Sequence, residues 1–175
     1  MTWTELLTAY IDQTYKAADG LMGMVDDEAL GWKPETGSNW MTTGQLLKHM
    51  TDACGFCCRG FVTGDWGFPE GVDPSQLSAE EMLPPAEKMP TLGSVAEARD
   101  LLAADKKLAL AMVKESGEED LQQKTAPAPW DPRPLPLGQR FMQMVSHLEL
   151  HKTQLFYYLK LQGKPVNTNH LYGGM

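Results

Sequence analysis

The stretch from Phe141 to Leu159, FMQMVSHLELHKTQLFYYL, constrains this chain more than any other. At about 100° per residue, Phe141, Met144, Val145, Leu148, Leu155 and Leu159 share one face, which predicts a long amphipathic helix. His147 and His151 lie one turn apart on it. His151 falls inside the apolar arc and His147 at its margin, beside Gln154. Imidazoles four residues apart project the same way, about 6 Å apart along the axis. That suits two bonds to one metal ion. The spacing is common, however, and a pair of hydrogen-bonded histidines on a helix face satisfies it equally well.

Three further helix starts are written locally. Thr2-Trp3-Thr4-Glu5 has the spacing of a capping box and opens a helix whose stripe runs from Trp3 to Leu21. Thr42-Thr43-Gly44-Gln45 opens a second, predicted to continue to about Val62. Ser94-Val95-Ala96-Glu97 opens a third, expected to end near Ser116 with Gly117 as its cap. The predicted architecture is therefore all-α, with four long helices and long connecting loops. Residues 64–93 are rich in Pro and Gly, with room for one helical turn from Ser78 to Met82. A loop this long often covers a site. Residues 118–138 form a second Pro-rich connection, and Pro165 forbids continuation of the last helix beyond Gly163.

His49 sits at the margin of the second helix's apolar face, with Asp52 and Phe56 on its side. Alone it is an ordinary boundary histidine. Cys54 and Cys57 have C-x-x-C spacing, but they point into the apolar stripe, about 140° and 80° around the helix from His49. They read as core thiols, and Cys58 as turned away. Asp105 falls in the middle of the third helix's apolar face. A buried carboxylate must be paired or coordinated. It is open to a hydrogen bond from a ligand histidine, to the metal, to an unrelated donor, or to solvent if the face rotates. Trp32 and Trp40 either cap the core or line a pocket. His170 follows the last helix and reads as surface.

The chain has 175 residues, enough for one domain, residues 1–175, with a full core. A formal net charge of −8 argues against nucleic acid and against anionic membrane surfaces. There is no apolar run of membrane-spanning length and no visible secretory signal, so the cytoplasm is the expected location.

Taken together, Thr42-Thr43-Gly-Gln-Leu-Leu-Lys-His49, the Pro/Trp connection, and Leu148-Glu-Leu-His151-Lys-Thr-Gln154-Leu resemble the DinB/YfiT superfamily over essentially the whole chain. Each fragment is weak; their order and spacing are specific. The resemblance implies a four-helix bundle and a divalent metal held by His49, His147 and His151. It also implies metal-dependent hydrolase or thiol-S-transferase chemistry on a small molecule, with a low-molecular-weight thiol as a second cofactor and a homodimer as the assembly.

Three imidazoles leave a coordination position for water or substrate. Zinc and nickel both suit nitrogen ligands. Asp52, Asp105, Gln154 or a backbone carbonyl are the candidate acceptors for the outer ring nitrogens. Trp32, Trp40, Phe56 and Trp130 are the candidate pocket lining, and Arg59 and Arg140 the candidate cations for an anionic thiol. The competing reading is a metal- or ligand-binding helical bundle without catalysis, of a stress-related kind.

Overall fold

The helices opened by Thr2, Thr42 and Ser94 begin where their caps predict. The computed structural model describes residues 1–73 and 76–174. Helix α1 spans Trp3–Met22, with Thr2 and Glu5 closing a full capping box. Its buried side chains include Leu7, Ile11, Tyr15, Ala18 and Leu21. Helix α2 spans Thr43–Met50 on the Thr42/Gln45 box, and helix α3 spans Gly55–Thr63. After the short helix α4, Ala79–Met82, helix α5 spans Val95–Gln123 from its Ser94 cap. Strands β1, Thr125–Ala128, and β2, Asp131–Pro136, precede helix α6, Leu137–Leu161, and the terminal turn α7, Thr168–Leu171. Helix α1 packs on both α5 and α6, while α2 and α3 pack on the same two helices. The chain is thus mostly helical with one small sheet. Among the described residues, no helix is long and apolar enough to cross a membrane.

The second helical segment departs from expectation. It is not one helix to Val62: it stops at Met50 and restarts at Gly55, with Cys54 at φ −128°, ψ −69°. The restart is imposed by Asp105, on α5. Its carboxylate accepts the N–H groups of Gly55 (2.9 Å) and Phe56 (2.8 Å) and the Tyr15 hydroxyl (2.5 Å). A carboxylate there satisfies donors at the start of α3 that no local cap reaches, and its charge complements the helix dipole. Gly55 is required, because a Cβ at that position would lie 2.1 Å from the Asp105 carbonyl oxygen. The break also re-phases the cysteines. Cys54 and Cys58 are fully buried, whereas Cys57 is half-buried. Cys58, expected to turn away, belongs to the core.

Gly117 takes a positive φ, +67°, but its ψ of 174° is not that of a left-handed helix cap: it breaks α5 without ending it, and helical bonding resumes to Gln123. The break presents Glu118 to the N-terminus of α1, where its carboxylate accepts the N–H groups of Trp3 and Thr4 at 2.9 and 3.0 Å. Two orphan donors of α1 are thereby satisfied from another element.

The Pro-rich connection is a hairpin rather than a loop. β1 and β2 run antiparallel, with Thr125 opposite Pro136, Ala126 opposite Leu135 and Ala128 opposite Asp131. Pro132, Pro134 and Pro136 alternate along β2, which restricts it to an edge. Arg140, on the first turn of α6 and fully buried, completes the structure. Its guanidinium donates to the carbonyls of Ala126, Asp131 and Arg133, to the Asp131 carboxylate and to Gln143. Lysine has neither the planar fork nor the number of donors. Arg140→Lys is therefore expected to cost about 2–4 kcal/mol through unsatisfied buried carbonyls. Urea unfolding would read this as a lower midpoint, and an unchanged midpoint would contradict the role given to Arg140.

Candidate metal centre

Three imidazoles meet between α2 and α6. Residue 49 is in the last turn of α2, and residues 147 and 151 are successive turns of α6. The Nε2 atoms of His151 and His147 are 2.9 Å apart, and those of His49 and His147 are 3.2 Å apart. Within the described residues these three form the one group of His, Cys, Asp and Glu side chains able to share an ion, with ligand atoms all within 4.8 Å of one another.

The outer ring nitrogens decide what the inner ones offer. The Tyr158 hydroxyl donates to the Met41 carbonyl, 2.9 Å, which can only accept. The Gln154 amide nitrogen donates to the Tyr158 oxygen, 3.0 Å, so the Gln154 oxygen faces His151. That oxygen lies 3.1 Å from His151 Nδ1, which must therefore carry the proton. His147 hydrogen-bonds to the Ala53 backbone. Ala53 precedes the N-cap of α3, so its carbonyl stands outside the helix ladder because the segment is broken there. The His151 Nε2 lone pair thus faces His147 Nε2 at 2.9 Å, where either an N–H of the neutral His147 ring or a cation between the two satisfies it.

A proton is the wrong charge for this place. Burial holds the His49 ring down at about 3, aided by His151, His147 and Lys48. Burial and His147 hold His151 down at about 4, against the opposing bond to Gln154. His147 is lowered by burial as well. All three are neutral at pH 7. A metal cation fits where protons do not: bonds of about 2.0–2.1 Å at tetrahedral angles separate two ligand nitrogens by about 3.3 Å. The separations of 3.2 and 2.9 Å from His147 Nε2 lie at and slightly inside that spacing, with all three ligand atoms within 4.8 Å of one another.

A cavity of about 450 Å³ opens on the cluster. His49, His147, Asp52 and Cys57 form its polar floor, and Phe56, Trp66, Phe68 and Trp130 its apolar walls. Of the expected lining, Phe56 and Trp130 are here. Trp32 and Trp40 instead pack edge-on to Tyr158, with ring centroids 5.1 and 6.3 Å away, and so brace the chain that orients His151. Trp66 and Phe68, together with Met82 and Leu83 at the mouth, come from the 64–93 connection. Sequence reading noted that such a loop covers sites but had no periodicity from which to pick these side chains.

The other expected residues take definite places. Asp52 pairs with Lys48 at the cavity edge. Asp105 is engaged by Tyr15, Gly55 and Phe56. Arg140 is committed to the hairpin, and Arg59 lies over the Phe56 ring and pairs with Asp65. His170 caps the last turn, accepting the Asn167 N–H at 3.0 Å.

The arrangement defines a helical protein with a three-imidazole cluster compatible with metal binding. The family model of the DinB superfamily matches residues 10–155, and the chain belongs to that superfamily. Comparison with curated proteins and with solved structures gives no match.

Gln154 offers a direct check on the cluster. Gln154→Leu removes the acceptor of His151 Nδ1 while preserving bulk. Loss of such an outer partner typically costs about 10–100-fold in metal affinity. Competition with a chromophoric chelator should show a drop in that range with the helical signal intact.

Proposed function

We propose that the protein is a divalent-metal-dependent hydrolase of the DinB type acting on a small molecule. His49, His147 and His151 would hold zinc or nickel through Nε2, within a single domain, residues 1–175. The rods of that domain, α1, the α2–α3 pair, α5 and α6, form a four-helix bundle whose second rod is broken. The observation that carries this reading is the cavity beside the cluster, because a closed structural site would need no such space. Bound there, the ion would supply Lewis acidity and an open position for water or a substrate atom.

The chain's own residues supply the rest. Gln154 would hold the His151 ring in its metal-ready tautomer, with Nε2 free. Asp52 lines the same cavity as His49 and His147, which supports it as the carboxylate that takes a proton from attacking water, its charge steadied by Lys48. Phe56, Trp66 and Trp130 limit water around the substrate. Thiol-S-transfer remains the neighbouring chemistry of the superfamily resemblance. It is supported less well, because among the described residues the cavity lining holds no lysine or arginine, and Lys48 and Arg140 are engaged elsewhere.

The test is metal content and turnover measured together. Untagged protein should carry about one zinc or nickel per chain and hydrolyse an uncharged aryl ester or amide. Asp52→Asn should lower kcat by about 10²–10⁴ while metal content holds, the usual contribution of a general base. Full metal with no turnover on any neutral substrate would favour the non-catalytic bundle instead.

A further inference from the structure

We infer that the cavity beside the three histidines selects an uncharged aromatic small molecule that presents one nitrogen, oxygen or sulfur donor toward the histidines, and that it rejects a polyanionic thiol. The donor's role rests on the metal reading above; the aromatic selection does not.

Three observations carry this. First, the walls are rings held in fixed positions. Trp66 and Trp130 meet edge-on at 5.3 Å, and buried Phe61 stands edge-on behind both, at 4.9 and 6.3 Å. Trp66 lies so close to α3 that a Cβ on Gly60 would come within 2.4 Å of its ring. A Cβ on Gly67 would lie 3.2 Å from the Phe56 ring, a closer fit than ordinary contact though looser than that at Gly60. Edge-to-face rings of this kind form a preorganised aromatic slot, and a flat apolar guest gains both area burial and ring contacts.

Second, the charge inventory excludes an acidic guest. Among the described residues the lining contains no lysine or arginine. Of the cations around it, Lys48 is paired with Asp52 and Arg140 is taken up by the hairpin, while Arg59 lies over the Phe56 face and meets Asp65 at 3.5 Å with its buried Nε unpartnered. The one carboxylate in the lining, Asp52, is paired with Lys48 at 2.5 Å, so the pair offers an anion no net positive charge. Cys57 is uncharged, its thiol pushed up to about 12 by burial and by Cys54, Asp105 and Asp52. A bound ion could take one donor atom, such as a thiolate, but the further carboxylates of a polyanionic guest would lose hydration against a lining without lysine or arginine.

Third, the size is that of a small ring system. A volume of about 450 Å³ lies at the low end of small-ligand pockets, with Met82 and Leu83 at its mouth.

Calorimetric titration of the full chain, both chelator-treated and zinc-loaded, tests the inference. The probes are 2-naphthol, 4-phenylimidazole, imidazole and glutathione. The chelator-treated protein should bind 2-naphthol. Phe68→Ala, on a loop and half-buried, should weaken this about tenfold with an unchanged helical signal, and Leu83→Ser provides a second variant outside the core. The zinc-loaded protein should bind 4-phenylimidazole about tenfold or more tighter than imidazole, and glutathione more weakly than 4-phenylimidazole. Absence of 2-naphthol binding, equal affinity for the two imidazoles, or tighter binding of glutathione would each overturn the aromatic selection. Binding of 2-naphthol that depends on Phe68, in a chain that takes up no zinc, would sustain the aromatic selection and sink the metal centre alone. Zinc uptake without 2-naphthol binding would do the reverse.

Discussion

Asp105→Ala is expected to destabilise the protein by about 3–6 kcal/mol, because it leaves three buried donors without an acceptor at once. The Tyr15 hydroxyl and the N–H groups of Gly55 and Phe56 all end on this carboxylate. Each buried donor left unmade costs about 1–3 kcal/mol. Set against a typical total stability of about 5–15 kcal/mol, the loss leaves little margin. Asp105→Asn should recover part of it, since one amide oxygen can still accept while its NH₂ meets a donor. Gly55→Ala attacks the same contact from the opposite side and should be as damaging, its Cβ falling 2.1 Å from the Asp105 carbonyl oxygen. Urea unfolding followed by far-UV circular dichroism measures all three. A loss below about 1 kcal/mol for Asp105→Ala would mean that α3 is not anchored by α5. The effect should also reach the cluster, because the Ala53 carbonyl that orients His147 belongs to the break this carboxylate maintains.

The break marks the boundary of what the sequence made legible. Helix starts were readable because their determinants are local: Thr2 and Glu5, or Thr42 and Gln45, are three residues apart. His147 and His151 were readable because a helical period places them together. His49 was a credible third ligand from its matching place at the margin of an apolar face, and the superfamily resemblance strengthened the link, since no local pattern joins α2 to α6. Nothing within 42–62 announces the stop at Met50. Its determinant, Asp105, lies some fifty residues away, and an apolar-face aspartate is equally compatible with a metal, a histidine or solvent. The hairpin was hidden for a similar reason. Alternating prolines signal a broken chain, and only the guanidinium of Arg140, arriving from α6, gives the strand carbonyls their partners. Arg140 itself read as a spare cation because composition records its charge and not its burial. The cavity walls come from a connection with no period, so Trp66 and Phe68 carried no positional signal.

His147→Ala is expected to abolish stoichiometric metal retention, with a fall in affinity beyond the about 10–100-fold typical of losing an outer partner. His147 is the shared vertex of the cluster: its Nε2 lies 2.9 Å from that of His151 and 3.2 Å from that of His49. Removing it leaves two donors on different helices with no common neighbour. The folded structure should survive, because the ring is only half-buried. Elemental analysis of untagged protein reads the outcome, with His170→Ala as the control that keeps its metal, since His170 serves only the final turn. The acid limb of metal retention gives an independent reading. Ligand rings must be neutral to bind, and they are neutral above their folded pKa values. Burial holds His49 at about 3 and His151 at about 4, below the ordinary 6.5. Burial lowers His147 as well, so competition from protons should set in below the ordinary imidazole range in the folded wild type, and retention at pH 6.5 should equal that at pH 7. Release already complete at pH 6 would show rings titrating as free imidazoles do, and full metal in His147→Ala would place the ion elsewhere altogether.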